Sequence, residues 1–272
     1  MNDPREWVGR TQTARDTIHS SAAERMAATL GGERTLAPGD HLPPLWHWMA
    51  HPHVVPAAAI GPDGHPARGG FLPPVELPRR MWAGSRVTFH APLPVGEELE
   101  RTSTIASVDL KEGRSGRLCF VTVRHEIRTG GTLRVSDEHD IVYREEPDPD
   151  APPPPPVTPP EGATASETVV PDPVLLFRYS ALTFNGHRIH YDRDYCREVE
   201  GYEGLVVHGP LTATLLADLA RRTAGRDLAS FRFRAVAPVF DTAPFTIHAS
   251  GEEAWAVRAD GGLAMRASFA LA

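Results

Sequence analysis

VVHGPLTATLLADLARRTAG, residues 206–225, decides how this chain folds. Pro210 suits the first turn of a helix, where a missing N–H is no loss, and Gly225 suits the position just past the end. Between them Leu211, Leu215, Leu216 and Leu219 form an apolar face, with Ala213, Ala217 and Ala220 filling the sides. The first turns are apolar over most of their circumference, so the helix belongs inside a core. Strand-like segments follow: FRFRAVAPVF (231–240), APFTIHAS (243–250), EEAWAVRAD (252–260) and LAMRASFAL (263–271). A buried helix followed by antiparallel strands is the α+β plan in which a sheet wraps a helix.

Working back towards the N-terminus, the same plan recurs. Ser21 and Glu24 stand at capping-box spacing, AAERMAATL follows, and Gly31-Gly32 ends the segment. SRVTFHA (85–91), ELERTSTIASVDL (98–110), RLCFVTVRHEI (117–127) and TLRVSDEHDIVYRE (132–145) alternate apolar with polar residues and read as four antiparallel strands. KEGRSG, between the second and third of these, reads as a hairpin turn. PVLLFRYSALTF (173–184) reads as a strand. Between the halves, residues 145–167 are Pro-rich and nearly devoid of apolar side chains, an extended connector that can form neither a helix nor a central strand. The expected organisation is a first unit over 1–146, a linker over 147–167 and a second unit over 168–272. The two sheets are expected edge to edge, hiding their exposed edges.

Composition narrows the function. The 272 residues are 23% charged and 41% apolar, an ordinary globular balance, with a formal net charge of −7. No long Lys/Arg run offers a basic face, so nucleic acid is not an expected partner. No window approaches the ~20 apolar residues a membrane helix needs, and MNDPREWVGR has no apolar leader core. A cytoplasmic protein with no membrane partner is the expectation, with a homodimer on general grounds. Cys119 and Cys196 stand alone and read as reduced thiols. His47, His51 and His53 in WHWMAHPH lack a neighbouring Cys or acid, and Pro52 interrupts them, so aromatic packing suits them better than metal binding. No GxSxG elbow is present.

The chemistry concentrates in LTFNGHRIHYD, residues 182–192, where an amide and two imidazoles lie close together. Histidine can both remove and return a proton near neutrality, worth roughly 10²–10⁴-fold in rate. Asparagine cannot titrate, but it can hold a water by accepting and donating. His190 and Asn185 are therefore the candidate catalytic pair. His187 either orients the loop or meets phosphate groups. In VVHGP, His208 and Gly209 stand at the start of the buried helix, where N–H groups lack internal partners and the dipole is positive. The Gly209 N–H is placed to polarise a carbonyl. Arg79, Arg80, Arg178 and Arg188 are candidates to grip a carboxylate on the substrate.

SALTFNGHRIHYD (180–192) followed by GLVVHGPLTATLL (204–216) resembles the MaoC-like hydratases and, closely, the type 2 hydroxyacyl-thioester dehydratases. His190 matches the motif histidine and Ile189 the aliphatic residue before it. Asn185 stands where the usual motif has a catalytic aspartate, a substitution typical of the type 2 branch. In the first half WVGRTQT, PPLWHWM, GPDGHPARGGFLPPVELPRRMWAGSRVTFHAPLPVG, KEGRSGRLCFVTVRHEI and DIVYRE resemble the N-terminal domain of mesaconyl-C4-CoA and itaconyl-CoA hydratases. The resemblance implies a double hotdog fold and hydration of a short unsaturated dicarboxylic acyl-CoA to citramalyl-CoA, with no cofactor or metal. The alternatives are a 3-hydroxyacyl-thioester dehydratase of fatty-acid or polyketide metabolism, a non-catalytic acyl-CoA-binding protein, and a thioester hydrolase on the same fold. The first half has no Asn/His pair followed by His-Gly-Pro. One active site per chain is expected, with the first half shaping the acyl pocket.

Overall fold

The computed structural model describes residues 3–33, 35–113, 116–146 and 154–272. Its strands are β1 (Thr11–Thr17), β2 (Arg79–Phe89), β3 (Glu98–Gly113), β4 (Gly116–Thr129), β5 (Thr132–Arg144), β6 (Ala165–Val169), β7 (Leu228–Ala235), β8 (Phe245–Ser250), β9 (Glu253–Val257) and β10 (Leu263–Leu271). They form one ten-stranded sheet in the order β1-β3-β4-β5-β2-β7-β10-β9-β8-β6. Each half contributes five strands, and the order is mirrored about the seam between β2 and β7. The seam runs antiparallel from Gly84 opposite Arg234 to Thr88 opposite Ser230. A Cβ on Gly84 would lie 2.4 Å from the Phe233 carbonyl oxygen, so glycine is what lets the two half-sheets close at this point.

The helices are α1 (Ser20–Thr29), α2 (Pro173–Thr183), α3 (Arg193–Glu198) and α4 (Gly209–Ala224). As expected, α4 has Pro210 in its first turn and ends on left-handed Gly225. Leu211, Ala213, Leu216, Ala217 and Ala220 on it are fully buried, in one cluster with Phe231 of β7 and Ile247 of β8. By the usual transfer value, each leucine withdrawn from water there contributes about 2 kcal/mol.

Four readings of the sequence need correction. PVLLFRYSALTF is helical: Pro173 opens α2, and the Asp172 carboxylate accepts from the Leu175 N–H at 2.8 Å. The segment looked like a strand because its outer face is apolar too, with Val174 and Phe177 exposed while Leu176, Tyr179 and Ser180 turn inward. The Ser21–Glu24 capping box does not form. His19 is the N-cap, without a side-chain bond, and Ser21 lies inside α1. Strand β1 was not expected, because TQTARDT is polar on both faces. Strand β6 occupies the end of the Pro-rich stretch, at an outer edge of the sheet, where a short polar strand is tolerated.

The KEGRSG hairpin is present, with Gly113 paired to Gly116; Arg114 and Ser115 at its tip lie outside the described residues. Residues 46–49 of WHWMAHPH form a short 3-10 turn, and Trp48 packs edge-on against Trp82 and Phe233 at the seam. Both cysteines are buried free thiols. Among the described residues no helix is long and apolar enough to cross a membrane.

Candidate active site

The loop carrying the candidate pair Asn185 and His190 leaves the end of α2 through Phe184, which adopts a left-handed conformation (φ 52°) and turns the chain back on itself. The Asn185 N–H then donates to the Ser180 carbonyl at 2.8 Å. The Asn185 side-chain oxygen accepts from the His187 N–H at 3.0 Å, a local turn that fixes the amide and leaves its NH₂ group available. A 3-10 turn over Arg188–His190 drops His190 into the protein, where it is 7% exposed.

His190 is held by two contacts. Its Nδ1 donates to the Val206 carbonyl at 2.7 Å, and its ring stacks on His208 with centroids 3.6 Å apart. The first contact sets the tautomer: with Nδ1 protonated, Nε2 carries the lone pair, and Nε2 has no partner among the described residues. The second contact places the ring against the start of α4, because His208 is the N-cap of that helix. His208 is pinned in turn through its Nε2 to the Ser180 hydroxyl at 2.8 Å. Burial pushes the His190 pKa down to about 4, against the opposing pull of the Val206 carbonyl, and moves His208 well below its ordinary range. At neutral pH His190 is therefore an unprotonated imidazole with a free lone pair.

Gly209 is the first residue of α4, and its N–H has no acceptor among the described residues. A Cβ there would meet only the Met265 methyl, at 4.0 Å. On its Cβ side Gly209 is thus uncrowded by protein atoms. The His190 imidazole is brought to the amino end of α4 through its stacking on His208, with Asn185 five residues before it on the same loop.

The first half supplies a feature that the sequence did not reveal. The loop carrying Asp63 and His65 docks on the catalytic loop: the Arg188 N–H donates to the Asp63 carbonyl at 2.9 Å, and Gly64 packs against Gly186 too closely for any side chain. His65 donates from Nδ1 to the Asp63 carboxylate at 3.0 Å and lies 4.0 Å from the His187 ring. His187 is 5.6 Å from His190. Burial, with the neighbouring imidazoles of His65 and His190, pulls the His187 pKa far down. Of its two expected roles, these contacts serve orientation of the loop. Asp63, His65 and His187 are also the group among the described residues whose ligand atoms lie close enough together to hold a metal ion. Asp63 and His65 sit two apart in GPDGH, which by itself reads as loop chemistry. Only the tertiary contact reveals them.

The four candidate arginines separate. Arg79 is committed to Glu146 and Glu200. Arg188 pairs with Asp192 at 2.7 Å and lies over the Tyr195 ring. Arg178 is exposed on α2, lining a groove of about 520 Å³ between α1 and α2. Arg80 has no carboxylate partner among the described residues, sits beside Tyr143, and is close enough to His187 for its charge to lower that pKa. Only Arg80 of the four is both unpaired and next to the catalytic loop.

Against known proteins, residues 45–241 match the family model described as hydroxyacyl-thioester dehydratase type 2. The chain is 49% identical over 242 residues to a mesaconyl-C(4)-CoA hydratase of Chloroflexus aurantiacus, covering 89% of this chain and 86% of that protein. The fold is similar to a MaoC-like dehydratase of Phytophthora capsici (TM-score 0.73, 14% identity, covering 100% of this chain and 98% of that one). It is also similar to a Mycobacterium tuberculosis protein described as having a double hotdog fold (TM-score 0.60, 15% identity, covering 96% and 95%). The mirrored ten-stranded sheet is a double hotdog.

Proposed function

We propose that this chain, which belongs to the hydroxyacyl-thioester dehydratase type 2 family, is a hydro-lyase that adds water across the double bond of a short α,β-unsaturated dicarboxylic acyl-CoA. Mesaconyl-C4-CoA, giving citramalyl-CoA, is the first substrate to test; itaconyl-CoA, whose double bond is not conjugated with the thioester, is the comparison ester that direct addition by this route would not hydrate. The observation that carries the chemistry is the free Nε2 of neutral His190, held by Val206 and His208 against the open amino end of α4. The dicarboxylic substrate class is supported by the 49% identity to a mesaconyl-C(4)-CoA hydratase.

The geometry supports the following steps. The Asn185 amide and His190 Nε2 hold a water beside the β-carbon. His190 takes one proton from it as the oxygen bonds to that carbon. The electron pair of the double bond moves towards the thioester, and the enolate oxygen accepts from the Gly209 N–H. One such donor is typically worth ~3 kcal/mol in the transition state. The imidazolium then returns its proton to the α-carbon, leaving His190 neutral. No aspartate is needed, because the backbone carbonyl of Val206 holds the imidazole tautomer.

The exposed apolar residues Val174 and Phe177 on α2, with Val170 just before it, favour a homodimer, which light scattering would reveal. The test of function is incubation with a panel of unsaturated CoA esters, following gain of one water by mass. Conversion of mesaconyl-C4-CoA ahead of crotonyl-CoA is the expected result. Preference for crotonyl or longer chains would move the enzyme to 3-hydroxyacyl-thioester dehydration. Release of free thiol would indicate hydrolysis, and tight CoA binding without turnover a carrier role.

A further inference from the structure

A polar cavity of about 180 Å³ lies within the first half, lined by His47, Trp48, His51, His53, Trp82, Arg101, His125, Asp137, His139 and Thr183 among others. Such a lining is unusual, since interiors are apolar unless polar groups find partners. Most of these groups do find them. The Asp137 carboxylate, 1% exposed, accepts from His47 at 3.2 Å, the Trp48 indole at 2.8 Å, His139 at 2.8 Å and the Ser85 hydroxyl. His125 meets the Ser103 hydroxyl at 2.8 Å. Strand pairing puts Arg101, His125 and Asp137 on one face of the sheet, since Ser103 opposes His125 and His125 opposes Asp137.

His51 Nδ1 is one buried atom of the lining without a partner, and Arg101 holds another. Its guanidinium makes no ion pair and no hydrogen bond among the described residues, and its Nε is buried without a partner. Two acids lie within electrostatic reach, and both are already occupied. Asp137 is surrounded by its four donors, and Asp16 accepts from the Thr17 N–H and the His51 N–H, each at 2.7 Å. Burial pulls the Arg101 pKa down, a measure of how poorly solvated the cation is. A guanidinium carries five N–H donors; in this half-buried residue none has a partner among the described residues, and Nε is shut off from water as well, which is costly. The natural occupant of this cavity is a planar anion that can accept two parallel bonds.

The cavity also lies in the right place. Thr183, on its wall, is two residues before Asn185. His53, at its edge, is close enough to both Arg80 and Arg101 to feel their charges. Positive charge therefore extends from the catalytic loop through Arg80 to Arg101.

We propose that Arg101 is the specificity residue that receives the second carboxylate of the acyl group. At about 180 Å³ the cavity is of a size to take a short polar acyl unit. This inference rests on the dicarboxylic reading above. The experiment compares hydration of mesaconyl-C4-CoA with that of crotonyl-CoA, which lacks the carboxylate, in wild type, Arg101→Gln and Arg101→Lys. The ratio of kcat/KM for the dicarboxylic over the monocarboxylic ester should fall on the order of a hundredfold in Arg101→Gln, and should recover only partly in Arg101→Lys, which keeps the charge and loses the fork. Equal fractional losses on both esters would make Arg101 a structural residue, and an unchanged ratio would remove it from recognition; either result overturns the proposal. If wild type hydrates crotonyl-CoA and not the dicarboxylic esters, the functional reading itself has failed. Thermal melting of each variant separates misfolding from lost selectivity.

Discussion

The two halves of the molecule share a strand order and differ in what fills the concave side. In the second half the 16-residue α4 lies across the sheet and packs it with leucine and alanine. In the first half the corresponding helix, α1, has 10 residues. Phe71 and Leu72, from the long loop before β2, pack on a separate core cluster of Val75, Leu77, Ile105, Val121, Val123 and Tyr143. The cavity with Asp137 and Arg101 lies against β3, β4 and β5 of this half and the 3-10 turn at Trp46–Met49. A complete inner helix gives its half a rigid amino end on which to place chemistry. The shorter α1 accompanies a half whose interior keeps a polar cavity, the one proposed above to receive the substrate's second carboxylate.

The largest effect should come from removing the base in the catalytic half. His190→Gln should lower kcat by ~10³-fold with little change in folding, since general acid–base help is worth about 10²–10⁴. Assay by continuous hydration kinetics, with circular dichroism as the folding control, decides this. A loss below tenfold would mean that the first half holds the base, with His65 the obvious candidate.

In the recognition half, Asp137→Ala strands the four donors gathered on one carboxylate. It should cost about 3–4 kcal/mol of stability, readable from urea unfolding. Asp137→Asn keeps the shape and part of the bonding, and should cost less. A neutral result for the alanine variant would show that the first half is not organised around that carboxylate.

Acid should weaken both halves, since burial also holds His51, His53 and His125 of the first half below the ordinary range; the share of His190 can be isolated. The His190 pKa is depressed from its ordinary 6.5 to about 4 in the folded protein. Below pH 6.5 the unfolded chain gains a proton that the folded one refuses, so stability falls on acidification until about pH 4, by about 2–3 kcal/mol from this residue. The acid limb of kcat/KM should lie near pH 4 for the same reason. His190→Gln should flatten the corresponding part of the stability profile, whereas Arg101→Gln should leave that slope in place.

The smallest expected effect concerns the seam. Gly84→Ala drives a methyl against the Phe233 carbonyl and should cost about 1–2 kcal/mol by melting. A loss confined to one half, seen by hydrogen exchange, would show that the halves fold separately.

Much of the catalytic half could be read from sequence because its signals are local. Pro210 and Gly225 bracket a leucine-rich helix, and Asn185, His187 and His190 lie within six residues of one another. The strands from β2 to β5 and from β7 to β10 alternate strongly enough to be recognised. Edge strands β1 and β6 carry no such alternation, because neither face of TQTARDT or ASETV is committed to a core. Helix α2 was misread because both of its faces are apolar. The recognition half was least legible. Asp63 and His65 reach the catalytic loop from more than a hundred residues away. Arg101, His125 and Asp137 converge from three different strands, and nothing in their spacing shows that one of the three lacks a partner.

The most direct test is to incubate wild type and His190→Gln with mesaconyl-C4-CoA in heavy-oxygen water and follow the label by mass spectrometry. The account predicts one labelled oxygen in the product of wild type and next to none with the variant. No incorporation by wild type, or equal incorporation by both, would contradict it.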